Sequence, residues 1–393
     1  MKLIVSNKNI YGIMENFLLL LFFSLPLINY ALGVNYYIPF IIIFFIIILC
    51  YNIFLRKRKI YFIIFVYLSL FSLMIIMTTL KFQGAGIFYS FISIPLLIIS
   101  YYISNIERKK IKKLSFLTLI IYYFFFIFSG IFKGFSPESI NFYLIGASRN
   151  IVSSIAIFLQ LFYSIAYFHV NRKLPILTVI VTTVICILSF GRTGIALSLF
   201  LLFTSYIINN LISVKNSKDA NKYVIKSIII YAIITIITSL IIYKLDDILN
   251  LLTFYTNFGL GLESPRDSLR QQYIDNLDLE KILFGVNLST IPDIHAFNNN
   301  PHNSYIYGHS QFGLLYIIYI VTTLLLTLSV FFNLLIRSKK INAVVFITFI
   351  SIFTFRAFYD KLAFIDVSDF IYYYIVFSFN KLNQNSKLIY IKK

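Results

Sequence analysis

The sequence has no tryptophan and only two cysteines, Cys50 and Cys186. Charge is scarce too: 12% of the residues are ionisable acids or bases, and acids are the rarer sign, 15 against 34. Each shortage excludes something. Two cysteines, both inside long apolar runs, supply neither a disulfide framework nor a thiolate metal site. So little charge cannot coat a water-soluble fold of this length, and no polar stretch is long enough to be a soluble domain of its own. No internal repeat is detectable. A cleavable leader pattern is lacking as well. The first apolar run, from Phe17, is long and another follows at once, so it reads as a membrane span.

What the chain does contain is apolar surface. It is 59% hydrophobic and 19% aromatic, with a mean hydropathy of +0.85. That composition belongs to an all-α, polytopic membrane protein. Apolar runs of helix-spanning length fall at 11–32, 37–55, 60–79, 87–106, 114–132, 151–170, 174–190, 195–211, 227–243, 313–336, 341–355 and 370–379. The last two are short for a hydrocarbon core of about 30 Å. The expectation is one integral membrane domain over 1–393, a helical bundle of about twelve spans.

Charge sets the orientation, because loops rich in Lys and Arg stay cytoplasmic. With the N-terminus inside, alternate loops carry Arg56–Lys59, Arg108–Lys113, Arg172–Lys173, four lysines in 213–226, and Arg337 with Lys339 and Lys340. Together with the termini these segments hold most of the 34 basic residues and two acids, Glu107 and Asp219. No other register of twelve spans sorts charge as well. Both termini are therefore expected in the cytoplasm. The net charge of +19 reflects topology rather than nucleic-acid affinity, since a nucleic-acid groove needs one contiguous basic patch.

Four features face outward in this register. They are Gly146–Asn150 at the start of the sixth span, the tight link Gly191-Arg192-Thr193-Gly194, the loop 244–312 between spans nine and ten, and the segment 356–369 joining the last two spans. A loop of that length is usually functional. Arg266, Leu269, Tyr273 and Leu277 recur at helical spacing within it, which predicts a short surface helix carrying Arg266 and Arg270. The loop closes on Pro301-His302-Asn303-Ser304-Tyr305, just before an apolar helix.

A neutral imidazole at such a boundary can act as a general base, or the segment can serve only to cap the following helix. Arg192, flanked by glycines that let a backbone come close, is suited to bind phosphate bidentately; it can equally snorkel to lipid headgroups. The same alternatives hold for Arg149, and Arg266 and Arg270 can pair with nearby acids. His295, His302 and His309 recur every seven residues, which does not match the short ligand pairs of zinc sites, so no metal is expected. Asp360, Asp366 and Asp369 read as a solvated turn, and His169 as interfacial.

In order along the chain, these pieces resemble the O-antigen polymerase and O-antigen ligase superfamily. Gly191-Arg192-Thr193-Gly194 is similar to that family's Ser-Arg-Thr-Gly link. Asn150, a loop arginine, the turn Leu283-Phe284-Gly285-Val286, His302-Asn303-Ser304-Tyr305, Gly308 and Gln311–Leu315 follow the family's order over about 146–330. There are departures: Gly191 stands where serine is usual, Ile306 where leucine is common, and no tryptophan follows the loop arginine. Both Arg266 and Arg270 are candidates for that arginine, Arg266 being favoured.

The resemblance implies a GT-C-like bundle and metal-independent, inverting glycosyl transfer on the outer face of a bacterial inner membrane, with no cofactor. His302 would be the base, with Arg192 and Arg266 acting on the diphosphate. Arg270, Arg149, Asn150, Asn303, Tyr273 and Tyr305 would contact substrate. The implied partners are an undecaprenyl-diphosphate-linked oligosaccharide, membrane lipid, a chain-length regulator and a flippase, with no nucleic acid. Modest size and a low-GC cast favour polymerase over ligase. A lipid-linked oligosaccharide flippase is the competing class, since many spans with both ends inside also suit a transporter.

Overall fold

The computed structural model describes residues 7–32, 85–145, 148–215, 265–296, 299–337, 339–360, 364 and 366–390, with isolated positions between 70 and 74. The described residues form helices and turns, with no strand among them. In chain order the first helices are α1 (Asn7–Leu32), α2 (Ala85–Ser104), α3 (Arg108–Lys133), α4 (Pro137–Ile140), α5 (Arg149–Asn171), α6 (Ile176–Leu188) and α7 (Arg192–Lys215). A lobe of short helices follows: α8 (Pro265–Asp275), α9 (Leu279–Phe284), α10 (Pro292–Ala296) and α11 (Ser304–Phe312). The chain then returns to the bundle as α12 (Leu314–Ile336), α13 (Lys340–Tyr359) and α14 (Asp369–Tyr390).

Six of these helices, α1, α3, α5, α7, α12 and α13, are long and apolar enough to cross a membrane. The chain is thus a multi-pass helical protein of membrane type. The expected spans 37–55 and 227–243, and nearly all of 60–79, lie outside the described residues, so the number twelve rests on the sequence.

Helix α5 is the axis of the bundle, with 89% of its apolar window buried. It packs against α3, α6, α7, α13 and α14. Its buried polar residues are matched by neighbours. Tyr123 Oη lies 2.8 Å from Thr182 Oγ1, Thr182 donates to Gln160 Oε1, and Gln160 donates to Ser164. Such bonds hold helices together where lipid gives no hydrophobic drive. The peripheral helices turn apolar side chains outward: Phe132 is 79% exposed, Ile131 67% and Leu325 61%. Those faces would be costly in water and cost nothing against hydrocarbon.

The bundle has two distinct ends. At one, Lys110 pairs with Glu15 at 2.6 Å, Lys112 reaches Asn171, Lys339 donates to the Leu382 carbonyl and Lys381 to Asn105. These contacts gather the basic clusters near 108–113, 172–173 and 337–340 into one layer, hereafter the basic end. The lobe docks at the opposite end, where Ser304 and Tyr305 bond to the C-terminal part of α13.

The connection from α13 to α14 departs from the sequence reading. Instead of a solvated turn, Asp360 and Asp369 are 4% and 1% exposed, and Arg356 beside them is fully buried. Helix α14 begins inside the bundle. The Phe370 ring packs on Phe22 and Phe162, 5.0 and 5.3 Å away, near the middles of α1 and α5. At 1.5 Å per residue, Asp369 stands about 20 Å from Leu382 at the basic end, whereas α13 spans about 30 Å. The connection therefore dips roughly 10 Å below the lobe end. Irregular backbone at such depth survives only where its polar groups are satisfied. The Asp369 carboxylate does this, accepting from the Phe364 and Asp366 backbone N–H at 2.5 and 3.1 Å. His169 also differs from expectation: it is 5% exposed and its Nε2 lies 3.0 Å from Ser378 Oγ inside the bundle.

Candidate functional site

Several of the motifs expected to face outward lie at the lobe end, where Arg356, a residue given no role in the sequence reading, joins α13 to the first turn of α5. The first turn of α5 supplies the floor. The Asn150 carbonyl accepts from Ser153 Oγ at 2.9 Å, Ser154 Oγ at 2.6 Å and Arg356 Nη2 at 2.9 Å. Arg149 precedes it, half-buried, with its backbone N–H bonded to Asn141 Oδ1 at 2.9 Å.

Helix α7 begins against this turn. A Cβ on Gly191 would stand 2.8 Å from Asn150 Oδ1, and one on Gly194 would stand 2.4 Å from Ser153 Oγ. The two glycines thus serve close approach of α7 to α5. Between them Arg192, half-buried, opens α7.

Arg356 ties α13 to the same turn. Its Nε donates to Ser154 Oγ at 2.5 Å, and its Nη2 faces both the Asn150 carbonyl and Asp360 Oδ2, the latter at 3.2 Å. Asp360 in turn reaches the lobe, because its backbone carbonyl accepts Ser304 Oγ at 2.6 Å. Asn303 caps α11, with Oδ1 accepting from the Tyr305 and Ile306 N–H groups. The cap role left open for this segment therefore falls to Asn303, not to the imidazole of His302. His302 sits just before the cap in the left-handed region, φ 48, half-buried, with its N–H donated to Asn300 Oδ1 at 3.0 Å. A non-glycine residue held there is backed by structure on both sides.

Arg270 approaches from α8. Its guanidinium lies 4.4 Å from the centre of the Phe358 ring and 5.4 Å from that of Tyr359, so it is stacked on the last turn of α13. Arg266 belongs to the first turn of the same helix, and its side chain lies outside the described residues. Gly146 and Ala147 lie outside them too.

Two further motifs explain each other. Gly285, at φ 88, and Gly313, at φ 54, pack back to back: a Cβ on Gly313 would fall 2.2 Å from the Leu283 carbonyl, and one on Gly285 2.4 Å from that of Ser310. Val286 N–H closes the contact on Ser310 O at 3.0 Å. The Leu-Phe-Gly-Val turn and the Gln-Phe-Gly-Leu junction are the two halves of one clasp between lobe and span.

Tyr273 was expected against a sugar. The structure places it in the lobe's own core with Leu269, Val286, Leu288, Ile291 and Ile294, 3% exposed, so it presents no ring face. Its hydroxyl meets His309 Nδ1 at 2.6 Å, and His309 Nε2 lies 3.1 Å from the Ile282 carbonyl. The carbonyl can only accept, so Nε2 carries the proton and the tyrosine donates to Nδ1. Burial lowers the His309 pKa from its usual value, which keeps the ring neutral. Tyr305 packs its ring 5.5 Å from Phe364 and donates to the Thr354 carbonyl at 3.3 Å; burial pushes its pKa up to about 12. His295 is exposed near Asn299. Among the described residues no three His, Cys, Asp or Glu side chains form a metal-ligand set.

Asn150, Arg356, Asp360 and Ser304 are therefore linked at one end of the bundle through direct contacts; the Gly191–Gly194 link packs on the same turn of α5, His302 stands two positions before Ser304, and Arg270 is stacked on the last turn of α13. Asp360 balances Arg356, and the elements that meet there carry three more arginines, Arg149 on α5, Arg192 on α7 and Arg270 on α8. Such an array is suited to a phosphate or diphosphate, since guanidinium donors match its oxygens in pairs. The signal that could have exposed Arg356 is an ionisable residue adjoining the end of an apolar run with an acid four residues on. Fold and site together define a multi-pass helical membrane protein with a folded lobe closing one end over an arginine-rich junction. No family model matches the chain, and neither does any curated protein or solved structure.

Proposed function

We propose that the protein is a glycosyltransferase that polymerises a surface polysaccharide, O-antigen or capsule, from lipid-linked repeat units. The observation that supports this reading is the Asn150–Arg356–Asp360 junction, which Ser304 closes from the lobe, with Arg270 stacked on the same end of α13 and the Gly191–Gly194 link packed on the same turn of α5. In this reading, motifs far apart in sequence serve one cationic site with His302 as its imidazole.

The chemistry follows from that inventory. An acceptor hydroxyl at the non-reducing end of one lipid-linked unit attacks the anomeric carbon of a second glycan. The carbon–oxygen bond to undecaprenyl diphosphate breaks, the diphosphate leaves with the electron pair, and the configuration inverts. His302 takes the hydroxyl proton. Arg192 and Arg266 stabilise charge growing on the leaving diphosphate, assisted by Arg270 and Arg149. Asn150 and Asn303 hold the two backbone segments that present these groups. The polyprenyl tail lies along the apolar helix faces. In this reading the lobe end faces away from the cytoplasm, as charge sorting requires.

One observation favours a transporter instead. Asp369 is an acid buried at the start of a helix that begins within the bundle, a feature of carriers. A lipid-linked oligosaccharide flippase is thus the second reading. The ligase reading shares the site and differs only in acceptor, lipid A-core. A strain lacking the protein separates all three. The polymerase reading expects single lipid-linked repeats to accumulate on the outer face of the membrane. Accumulation on the inner face supports the flippase, and finished polymer left on its lipid carrier supports the ligase; either result overturns the polymerase.

A further inference from the structure

The basic end holds a second site that glycosyl transfer does not use. A cleft of about 590 Å³ opens there between the ends of α5 and α7 and the start of α13, within the range of about 300–1,000 Å³ typical of small-ligand sites. Its walls are apolar, including Phe168, Ile208, Ile212 and Val344, and its rim carries Arg172, Lys339 and Lys340. None of the described lining residues is acidic.

The cations are placed there by backbone geometry. Arg172 caps α5 in the left-handed conformation, φ 54, with its N–H on the Phe168 carbonyl, a position usually given to glycine or asparagine. Lys339 precedes α13, with its ammonium on the Leu382 carbonyl at 2.7 Å. Burial and then the Arg337 and Arg172 charges pull the Lys339 pKa down, so like charges are crowded together at the mouth. What complements the cleft is a negative head on an apolar tail.

We propose that this cleft binds one anionic phospholipid of the leaflet that the basic end faces, with its phosphate among Arg172, Lys339 and Lys340 and an acyl chain against the Phe168–Ile212 wall. Basic pockets between spans recognise anionic headgroups in this way. A free phosphate would use the rim and leave the wall empty. The assignment does not depend on the glycosyl-transfer reading.

Native mass spectrometry of the full chain tests it, after equilibration in mixed micelles holding equal phosphatidylglycerol and phosphatidylcholine with the same acyl chains. The expected result is one retained phosphatidylglycerol per chain in preference to phosphatidylcholine. Arg172→Gln combined with Lys340→Gln should weaken retention roughly 30-fold, the equivalent of two cations at about 1 kcal/mol each. Val344→Trp fills the cleft while leaving the rim intact and should also abolish selective retention, which keeps the test valid if the double variant folds poorly. Glycerol phosphate at the same concentration should not displace the lipid. Equal retention of the two lipids overturns the assignment. So does retention unchanged in Val344→Trp, or displacement by glycerol phosphate, which would indicate a bare anion site.

Discussion

Replacing Arg356 by methionine keeps most of the side-chain volume and removes the charge. The Asp360 carboxylate, 5% exposed, would then stay buried without its cation, and Ser154 and the Asn150 carbonyl would lose a donor. Breaking one side of a buried ion pair costs about 3–5 kcal/mol, mostly because of the charge left behind. Native domains are stable by only about 5–15 kcal/mol, so the loss is large. Adding Asp360→Asn removes the stranded charge. The double variant should therefore be more stable than Arg356→Met alone, with a coupling of about 1–3 kcal/mol between the two positions. The absence of tryptophan rules out the usual fluorescence probe, but Cys186 is fully buried. Thermal unfolding can be followed by its labelling with a thiol-reactive dye in a Cys50→Ser background. A midpoint lowered by at least about 5 °C is expected for Arg356→Met, with partial recovery in the double variant. If Arg356→Met unfolds with the parent, or the double variant is no better than the single, the ion pair does not organise the junction.

Further outcomes follow from the same geometry. Gly194→Ala puts a methyl group 2.4 Å from Ser153 Oγ and 2.5 Å from Ser153 Cβ, an overpacking expected to cost about 1–3 kcal/mol. Ser153→Gly should rescue it and Ser153→Ala should not, because the alanine keeps the clashing carbon; the same labelling assay reads both. In the lobe, the His309 pKa is depressed on folding, so the unfolded state binds more protons between the two values. The lobe's full stability is then present above the unfolded value near 6.5 and is lost as pH falls below it. Amide protection across 265–312, corrected for the intrinsic exchange rate at each pH, should fall below about pH 6 and should be less pH-dependent in His309→Gln. Arg192→Lys keeps the charge and loses the paired donors, so polymer yield should fall at least tenfold at unchanged protein level. Full yield would identify Arg192 as a residue that only meets lipid headgroups.

Much of the bundle was legible in the sequence because membrane spans are written as apolar runs. The runs at 114–132, 151–170 and 313–336 correspond to α3, α5 and α12. The glycines of the Gly-Arg-Thr-Gly link were legible as a close-approach motif, and the structure supplies what they approach, the Asn150 turn. The helical spacing of Leu269 and Tyr273 did mark one face of α8, but that face is buried in the lobe core. Arg270, off the stripe, is the residue that meets α13. Periodicity identifies an apolar face without saying what covers it. Arg356 was illegible for a related reason. Its apolar run stops at Phe355, whereas the helix continues to Tyr359 because Asn150, Ser154 and Asp360 receive the guanidinium. Two of those partners, Asn150 and Ser154, come from an element some two hundred residues away in sequence. The buried Asp369 was hidden likewise, since its acceptor role depends on a backbone that turns back into the bundle.

The central claim is that His302 and the arginines around Asn150 carry out glycosyl transfer. Its most direct test is single-turnover kinetics of the purified protein in liposomes supplied with an undecaprenyl-diphosphate-linked repeat unit. The parent should form dimeric product and release undecaprenyl diphosphate in equal amounts. His302→Ala should slow that step by about 10²–10⁴-fold, the usual contribution of a positioned base, while still binding the lipid-linked donor. Product formation at the parental rate in His302→Ala, or none in the parent protein itself, would contradict the account.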